Sequence, residues 1–264
     1  MNDLNLSTDR FLPGAALVVG GSGGIGAAVC QRLAQQGSDV VVTYRSNVQA
    51  ADRVVEAVQE VGQRAIAVQV DATDRDSVVA AVQAAEELGG LHTVVFSAGP
   101  LVVQRYVSQL EPADWIRAMR VEADGFFHVV RAALPALRVN GGSIVAITSA
   151  ANRRHVPRDV LSTAPKAAME ALVRAVAREE GRFGIRANAV AVGAIDAGMM
   201  HRLHDKADDG DGLDNEWIDA ALVNIPLKRL GTASEVAATV VFLASRDGAY
   251  ICGQTIAVDG GFST

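Results

Sequence analysis

Near the start of the chain, residues 15–26 read AALVVGGSGGIG. A short apolar run stops in a cluster of glycines, and a helical pattern follows over residues 27–36. Glycine lets the backbone turn tightly and lets a ligand approach without meeting a Cβ atom. The N-terminus of the helix that follows offers free N–H groups and the positive end of a dipole. The stretch therefore predicts a strand, a turn and a helix that together bind a phosphate group.

The glycines of this turn fit two spacing patterns. Gly21, Gly23 and Gly26 match G-x-G-x-x-G, the common dinucleotide fingerprint. Gly20, Gly24 and Gly26 match G-x-x-x-G-x-G. Either match alone is a weak signal, and a purely structural glycine turn is the alternative. The rest of the chain has to decide between them.

Composition limits the class of protein. The chain has 264 residues, of which 50% are hydrophobic, and this suits one large α/β domain. A net charge of −6 argues against nucleic acid or an anionic membrane surface as a partner. Cys30 and Cys252 are far apart and form no C-x-x-C motif, so we expect two small buried side chains rather than a disulfide or a metal site. Residues 1–13 form an N-terminal extension without the apolar core of a signal peptide, and no apolar run is long enough to span a membrane. We therefore expect a cytoplasmic protein.

Short apolar strands alternate with amphipathic helices along the chain. After the opening strand, further strands are predicted over residues 38–44, 64–70, 91–97, 143–149, 185–192 and 254–258. Helices are predicted over residues 27–36, 48–61, 74–88, 111–137 with a bend near Gly125, 165–182 and 233–245. This alternation predicts a doubly wound α/β fold of the Rossmann type, with a parallel sheet of about seven strands and helices on both faces. No linker or repeat interrupts the pattern, so we expect a single domain over residues 1–264.

Residues 199–222 form the one long segment with a mixed pattern. Its ends are helical in pattern, while its middle carries glycine and the acidic residues Asp205, Asp208, Asp209, Asp211 and Asp214. A solvated surface flap is the simpler interpretation. The alternative is a lid over a substrate cleft, because lids are loops carried on rigid scaffolds.

The motifs, taken together, are similar to those of the short-chain dehydrogenase/reductase family over nearly the full length. The similar segments stand in family order and are residues 20–26, Asp71, residues 98–99, 142–149, Lys166, 185–188 and 259–261. The tail from Pro226 resembles that of β-ketoacyl carrier-protein reductases. This resemblance selects the G-x-x-x-G-x-G spacing and implies the sheet order 3-2-1-4-5-6-7. It also implies NAD(P) binding, a small-molecule substrate and a homotetramer or homodimer.

The residues at the end of the second predicted strand indicate whether the cofactor is NAD(H) or NADP(H). A carboxylate there would bond the adenosine ribose and repel a 2′-phosphate. The segment instead carries Arg45, which can pair with a phosphate, and Ser46, which can donate a hydrogen bond. We therefore predict NADP(H) rather than NAD(H). By resemblance, the other cofactor contacts fall on Gly20, Ser22, Gly23, Gly24, Ile25, Gly26, Asp71, Ala72, Ser97, Ala98, Gly99, Lys166 and Ile195.

The catalytic segment departs from the family pattern. The family uses a serine to polarise the carbonyl, a tyrosine to transfer the proton, and a lysine four residues after the tyrosine. Ser149 and Lys166 stand where the serine and lysine belong, but the tyrosine position holds Ser162. The position of a further family asparagine holds Glu122. A serine hydroxyl is a much weaker acid than a phenol, whose pKa is about 10, so Ser162 alone cannot replace the tyrosine as a proton donor.

Three hypotheses follow. In the first, the protein transfers hydride to or from a carbonyl or enoyl substrate and takes its proton from an atypical donor, either His155 or a Glu122 whose pKa is raised by burial. The alternative for His155 is a solvated loop position. The alternative for Glu122 is a pairing with Lys166 or with a neighbouring arginine. In the second, the protein binds NADP(H) without catalysis, as a sensor or subunit partner. In the third, the arginines of residues 153–158 grip another anionic small molecule in the same cleft.

Overall fold

A computed structural model describes residues 10–204 and 215–264. Seven strands form one parallel sheet in the order β3-β2-β1-β4-β5-β6-β7, which confirms the predicted topology. Their bounds are β1 Ala15–Val19, β2 Asp39–Tyr44, β3 Ala65–Gln69, β4 Leu91–Phe96, β5 Gly142–Ser149, β6 Ile185–Val192 and β7 Thr255–Val258. The strand order reverses between β1 and β4, so a crevice opens there at the carboxyl ends of the strands.

Helices cover both faces of the sheet, as the alternation predicts. They are α1 Gly24–Gln35, α2 Val48–Glu60, α3 Arg75–Glu87, α4 Pro112–Met119, α5 Gly125–Asn140, α6 Val160–Glu180, α7 Met199–His204, α8 Asn215–Asn224 and α9 Ala233–Ala244. One apolar core lies between the sheet and α3, α5 and α6. The other lies between the sheet and α1, α2 and α9. These two cores hold the strand ends, and the loops that follow them, in fixed positions.

A widened π-helical turn over Arg120–Asp124 interrupts the long helix that the sequence predicts. The break falls directly before Gly125, where the sequence pattern predicts a bend. Gly125 packs so closely that a Cβ atom there would lie 2.9 Å from the Cβ of Ala72. The extra residue of a π turn changes which side chains point inward. Here it carries the side chain of Glu122 into the interior, where the residue is 1% exposed.

Two helices begin earlier than the sequence pattern predicts. Helix α1 starts at Gly24 instead of residue 27, because the last glycines of the turn already have helical geometry. Helix α6 starts at Val160, and Pro165, the predicted first residue, lies inside it. Pro165 is the sixth residue of α6, where a proline removes the backbone hydrogen bond to residue 161 and costs stability, yet the helix continues through it. The correction to α6 places Asp159 at the N-cap, directly beside the candidate site.

The remaining expectations concern the cysteines and the segment termini. Cys30 and Cys252 are free thiols; Cys30 is buried, as predicted, and burial raises the pKa of its thiol, while Cys252 is half-buried. Of the N-terminal extension, Arg10 pairs with Asp247 at 2.6 Å and Phe11 packs in the core. Residues 1–9 and the acidic middle of 199–222, at 205–214, lie outside the described residues. Among the helices that are described, none combines the length and apolar character that crossing a membrane requires.

Candidate active site

A cavity of about 650 Å³ opens at the carboxyl ends of β1, β4, β5 and β6. The start of α1 and the end of β4 form one wall, and the end of β5 with the start of α6 forms another. Of the residues that the sequence singles out, the cavity is lined by Gly23, Gly24, Ile25, Ser97, Ala98, Gly99, Ser149, His155, Ser162, Lys166 and Ile195. Gly20, Ser22, Gly26, Arg45, Ser46, Asp71, Ala72 and Glu122 are not part of this lining.

The glycine turn is held by close backbone packing. Gly20 has a φ of +82°, and a Cβ atom on Gly26 would lie 2.1 Å from the carbonyl oxygen of Gly20. The Gly20 N–H donates to the Thr43 hydroxyl at 3.0 Å, and the Ser22 N–H donates to the Thr43 carbonyl at 3.2 Å. No side chain caps the N-terminus of α1 at Gly23. Its first N–H groups therefore remain available to an anion beside the cavity.

Arg45 and Asp71 lie beyond the glycine turn, at the ends of β2 and β3. The Asp71 carboxylate accepts hydrogen bonds from the Thr73 N–H at 2.9 Å and the Thr73 hydroxyl at 2.8 Å, and these bonds lower its pKa. The Arg45 side chain is 70% exposed, with its Nε 3.8 Å from Asp71 Oδ2. Ser46 is exposed beside it, whereas Ala72 is buried. The guanidinium is thus free to approach a ligand phosphate from solvent.

Ser149 ends β5 with its hydroxyl toward the cavity. Its Oγ accepts a hydrogen bond from the Ala151 N–H at 3.2 Å, because the chain turns into a short 3-10 helix at Ala150–Asn152. A serine hydroxyl has one donor and two acceptor positions. Since the backbone N–H uses an acceptor position, the hydroxyl proton stays free to donate to a substrate oxygen.

Lys166 and Glu122 form an ion pair at the cavity wall. The Lys166 Nζ lies 2.6 Å from Glu122 Oε2, and the two side chains are 14% and 2% exposed. Burial raises the pKa of Glu122, and the charge and hydrogen bond of Lys166 oppose that shift. The other carboxylate oxygen, Oε1, lies so near Gly99 that a Cβ atom there would be 2.9 Å from it. Of the two interpretations given for Glu122, the pairing with Lys166 is the one that the geometry favours.

Ser162 lies on the first turn of α6, four residues before Lys166. It lines the cavity, and its hydroxyl has no hydrogen-bond partner within the described part of the chain. His155 also lines the cavity from the preceding loop, but its side chain is exposed.

Sequence inspection missed Asp159, Gln104 and Tyr106, which also line the cavity. Burial raises the pKa of Asp159 to about 6, and the charge of Lys166, a hydrogen bond from Gln104 and the charge of His155 oppose the shift. The only sequence signal for Asp159 is its position one helical turn before Ser162. If the helix is predicted to begin at Pro165, Asp159 lies outside it and its relation to Ser162 is not visible.

The three arginines of residues 153–158 have different surroundings. Arg153 donates to the Thr255 carbonyl at 2.6 Å. Arg154 donates to the Phe262 carbonyl and to Asn224 Oδ1, each at 3.0 Å. Arg158 lines the cavity with a left-handed backbone, at a φ of 71°. Within the described residues, no group of three or more His, Cys, Asp or Glu side chains has metal-site geometry.

Comparison with known proteins assigns the chain to a family. Residues 19–263 match the family profile described as Enoyl-(Acyl carrier protein) reductase. A versicolorin reductase of Emericella nidulans is 36% identical over 249 residues, which cover 93% of this chain and 94% of that protein. A 3-oxoacyl-(acyl-carrier-protein) reductase of Staphylococcus aureus is 33% identical over 94% of this chain and 97% of that protein. The structure of a short chain dehydrogenase from Burkholderia cenocepacia in complex with NADP superposes with a TM-score of 0.85 at 33% identity, over 98% of this chain and 99% of that one. The chain belongs to the short-chain dehydrogenase/reductase family of oxidoreductases.

Proposed function

We propose that this protein reduces or oxidises a small carbonyl or enoyl compound with NADP(H), and that Ser162 stands in the position of the family's catalytic tyrosine. The observation that carries the proposal is the convergence of Ser149, Ser162 and Lys166 on one cavity that also reaches the glycine turn. A binding turn and a carbonyl-polarising hydroxyl on one cavity are the minimum that such an oxidoreductase needs.

The residues present fit a dinucleotide. The uncapped N-terminus of α1 suits the pyrophosphate, and Gly26 keeps the turn close to the helix. The exposed guanidinium of Arg45, with Ser46 beside it, suits the 2′-phosphate of NADP(H). Near the sheet's carboxyl edge, Thr148 lines the cavity with a buried hydroxyl that has no partner among the described residues. The short chain dehydrogenase from Burkholderia cenocepacia, whose structure superposes on this chain, is in complex with NADP.

When bound, the nicotinamide supplies or accepts the hydride. The side chains of this protein bind the substrate oxygen and supply its proton. Ser149 donates its free hydroxyl proton to the substrate oxygen as a hydrogen bond, which polarises the carbonyl. Lys166 uses one of its three N–H donors on Glu122 and keeps the others for the ribose side of the cavity. Because Ser162 is too weak an acid, the proton comes from another group.

The pairing of Lys166 with Glu122 supports a second candidate function, NADP(H) binding without catalysis. The Glu122 carboxylate opposes the positive charge with which Lys166 acidifies a neighbouring proton donor. A protein of this kind would act as a cofactor sensor or as a subunit partner. The third hypothesis, another anionic ligand held by the arginines, has less support because Arg153 and Arg154 are bound to carbonyl groups.

Assembly and substrate access also belong to the proposal. Trp115, Ile116 and Phe127 are 43%, 61% and 47% exposed on α4 and α5, and their apolar surface supports a homodimer or homotetramer. In the 199–222 segment, α7 and α8 contribute Met199 and Ala221 to the cavity lining, which supports a substrate-binding loop there. We propose that the enzyme acts in the cytoplasm.

The test follows NADPH absorbance with a panel of substrates. The panel contains simple ketones, enoyl thioesters, the β-ketoacyl thioesters reduced by the Staphylococcus aureus relative and versicolorin, the compound for which the Emericella nidulans relative is named. We expect turnover by the wild type and a loss of roughly 100- to 1000-fold in Ser149→Ala, with NADPH affinity unchanged. Ser143→Ala is the matched control, because this serine lies on the same strand and donates to the Leu243 carbonyl away from the cavity.

The results of this assay distinguish the three candidate functions. NADPH binding without turnover of any substrate would support the non-catalytic function. Binding of neither NADPH nor NADH would contradict both functions and leave the anionic-ligand hypothesis. Equal activity in Ser149→Ala and the wild type would contradict the assignment of Ser149.

A further inference from the structure

We infer that Asp159 is the proton donor of this active site, in place of the tyrosine that Ser162 replaces. The inference rests on the proposed function, since it concerns the proton that a carbonyl reduction consumes. It depends on where Asp159 lies, on the groups around it, and on the unsuitability of the other candidates.

Asp159 is one helical turn from Ser162 on the same side of the cavity. Its carbonyl oxygen accepts hydrogen bonds from the Ser162 N–H at 3.1 Å and from the Thr163 N–H at 3.0 Å, which fixes it to the start of α6. Residues three apart on a helix face the same way, with Cβ atoms about 5 to 6 Å apart. Both side chains line the cavity. The Asp159 carboxyl therefore lies beside the space that Ser162, which is shorter than a tyrosine, does not fill.

The surroundings of Asp159 raise the pKa of its carboxyl above the ordinary value. The groups that face it are Gln104, Glu122, His155 and Lys166, from the loop after β4, the π turn, the loop after β5 and α6. Lys166, Gln104 and His155 lower the pKa of Asp159, whereas the Glu122 carboxylate, 2.6 Å from Lys166, raises it. Burial then dominates and raises the pKa of the carboxyl to about 6. General acids work best when their pKa is near the working pH.

The other acids are less well placed. Glu122 is 1% exposed, is absent from the cavity lining and is bound to Lys166. His155 and Tyr106 do line the cavity, but both side chains lie toward solvent, and Tyr106 is 56% exposed. Asp159 alone combines a cavity position with direct contact, through the backbone, to the turn that carries Ser162.

The proton balance is simple. Reduction of a carbonyl adds one hydride at carbon, from the reduced nicotinamide, and one proton at oxygen. The O–H bond of the Asp159 carboxylic acid breaks as the O–H bond of the alcohol forms. The Asp159 carboxylate left behind regains its proton from water at the cavity mouth. Ser149 holds the same oxygen by its hydrogen bond throughout. In the oxidative direction the carboxylate accepts the proton.

The test compares Asp159→Asn with Asp74→Asn, a matched control in which an aspartate at another helix N-cap is changed. With the best substrate found, kcat should fall at least roughly 100-fold in Asp159→Asn and stay unchanged in Asp74→Asn. NADPH affinity, measured by fluorescence titration, should be the same in all three proteins. Reduction by the wild type should decline as pH rises through about 6, while the residual rate of Asp159→Asn should lack this decline. Asp159→Glu should restore part of the rate.

A second readout is independent of turnover. Carbon-13 NMR of labelled aspartate should show one carboxyl that titrates near pH 6 in the wild type and is missing from Asp159→Asn. An active Asp159→Asn enzyme with the wild-type pH profile would overturn the inference, as would loss of activity in His155→Gln or Tyr106→Phe alone. In those cases the proposed function stands and the donor is another residue. An inactive wild type would instead contradict the proposed function itself, and the donor role with it.

Discussion

The two ends of the cleft differ in whether backbone groups or side chains form them. The phosphate end consists mainly of backbone groups: the glycine turn, the uncapped start of α1 and the hydrogen bond from the Ser22 N–H to the Thr43 carbonyl. At the other end, side chains do it: Ser149, Asp159, Ser162 and the pair of Lys166 with Glu122. Backbone geometry tolerates few substitutions, whereas a set of side chains can change while the fold remains. A chain of this fold can therefore keep a backbone turn while the side chains at the other end of the cleft change.

The largest effect is expected at the phosphate end. A methyl group on Gly26 would lie 2.1 Å from the Gly20 carbonyl oxygen, and a backbone atom cannot move aside cheaply. We expect Gly26→Ala to lower the free energy of unfolding by on the order of 4 kcal/mol and to abolish NADPH binding. Urea unfolding and fluorescence titration measure the two effects.

Gly181→Ala is the matched control, because nothing lies within 4 Å of a Cβ atom at that position. Its stability should change by less than about 0.5 kcal/mol. If Gly26→Ala bound NADPH as the wild type does, the turn would not be the phosphate site, and the contrast between the two ends would fail.

A smaller effect, with a pH signature, is expected at the other end. The pKa of Asp159 rises from an ordinary value of 3.8 to about 6 in the folded protein. Well below pH 3.8 the carboxyl is neutral in both folded and unfolded chains. As pH rises from about 4 to about 6, the unfolded chain ionises first, and the folded state loses stability relative to it. The shift of roughly two pKa units corresponds to about 3 kcal/mol, fully expressed above pH 6.

Asp159→Asn removes this loss of folding stability, because the asparagine amide is neutral at every pH. We expect the variant to be more stable than the wild type by about 2 to 3 kcal/mol at pH 8, with the difference shrinking toward pH 4. Urea unfolding across that range measures it, with Asp74→Asn as the control. A difference that is independent of pH would show that Asp159 ionises normally.

The fold and the candidate site differ in how far they can be predicted from the sequence. Alternating apolar runs are local signals, and they predict the parallel sheet with helices on both faces correctly, while the family resemblance supplies the strand order. The binding role of the turn at Gly20, Gly24 and Gly26 stays a prediction. The pairing of Glu122 with Lys166 is a contact between distant elements, and it depends on a π turn that leaves no clear sequence pattern. Asp159 was missed because Pro165 suggested a helix start, whereas the helix begins at Val160 and continues through the proline.

The smallest effect is expected at Arg45, where a side chain assists the backbone site. The guanidinium is 70% exposed and only 3.8 Å from the Asp71 carboxylate, so its contact with a 2′-phosphate is made near solvent. We expect Arg45→Gln to weaken NADPH binding about tenfold, or roughly 1.4 kcal/mol, and to leave NADH binding unchanged. The effect should shrink with added salt, because exposed charges are screened. Arg53→Gln, which removes an exposed arginine on α2, is the control for net charge. Equal weakening of NADPH and NADH by Arg45→Gln would mean that the arginine supports the adenosine site as a whole, and selection for NADP(H) would then have to come from Ser46 or the glycine turn.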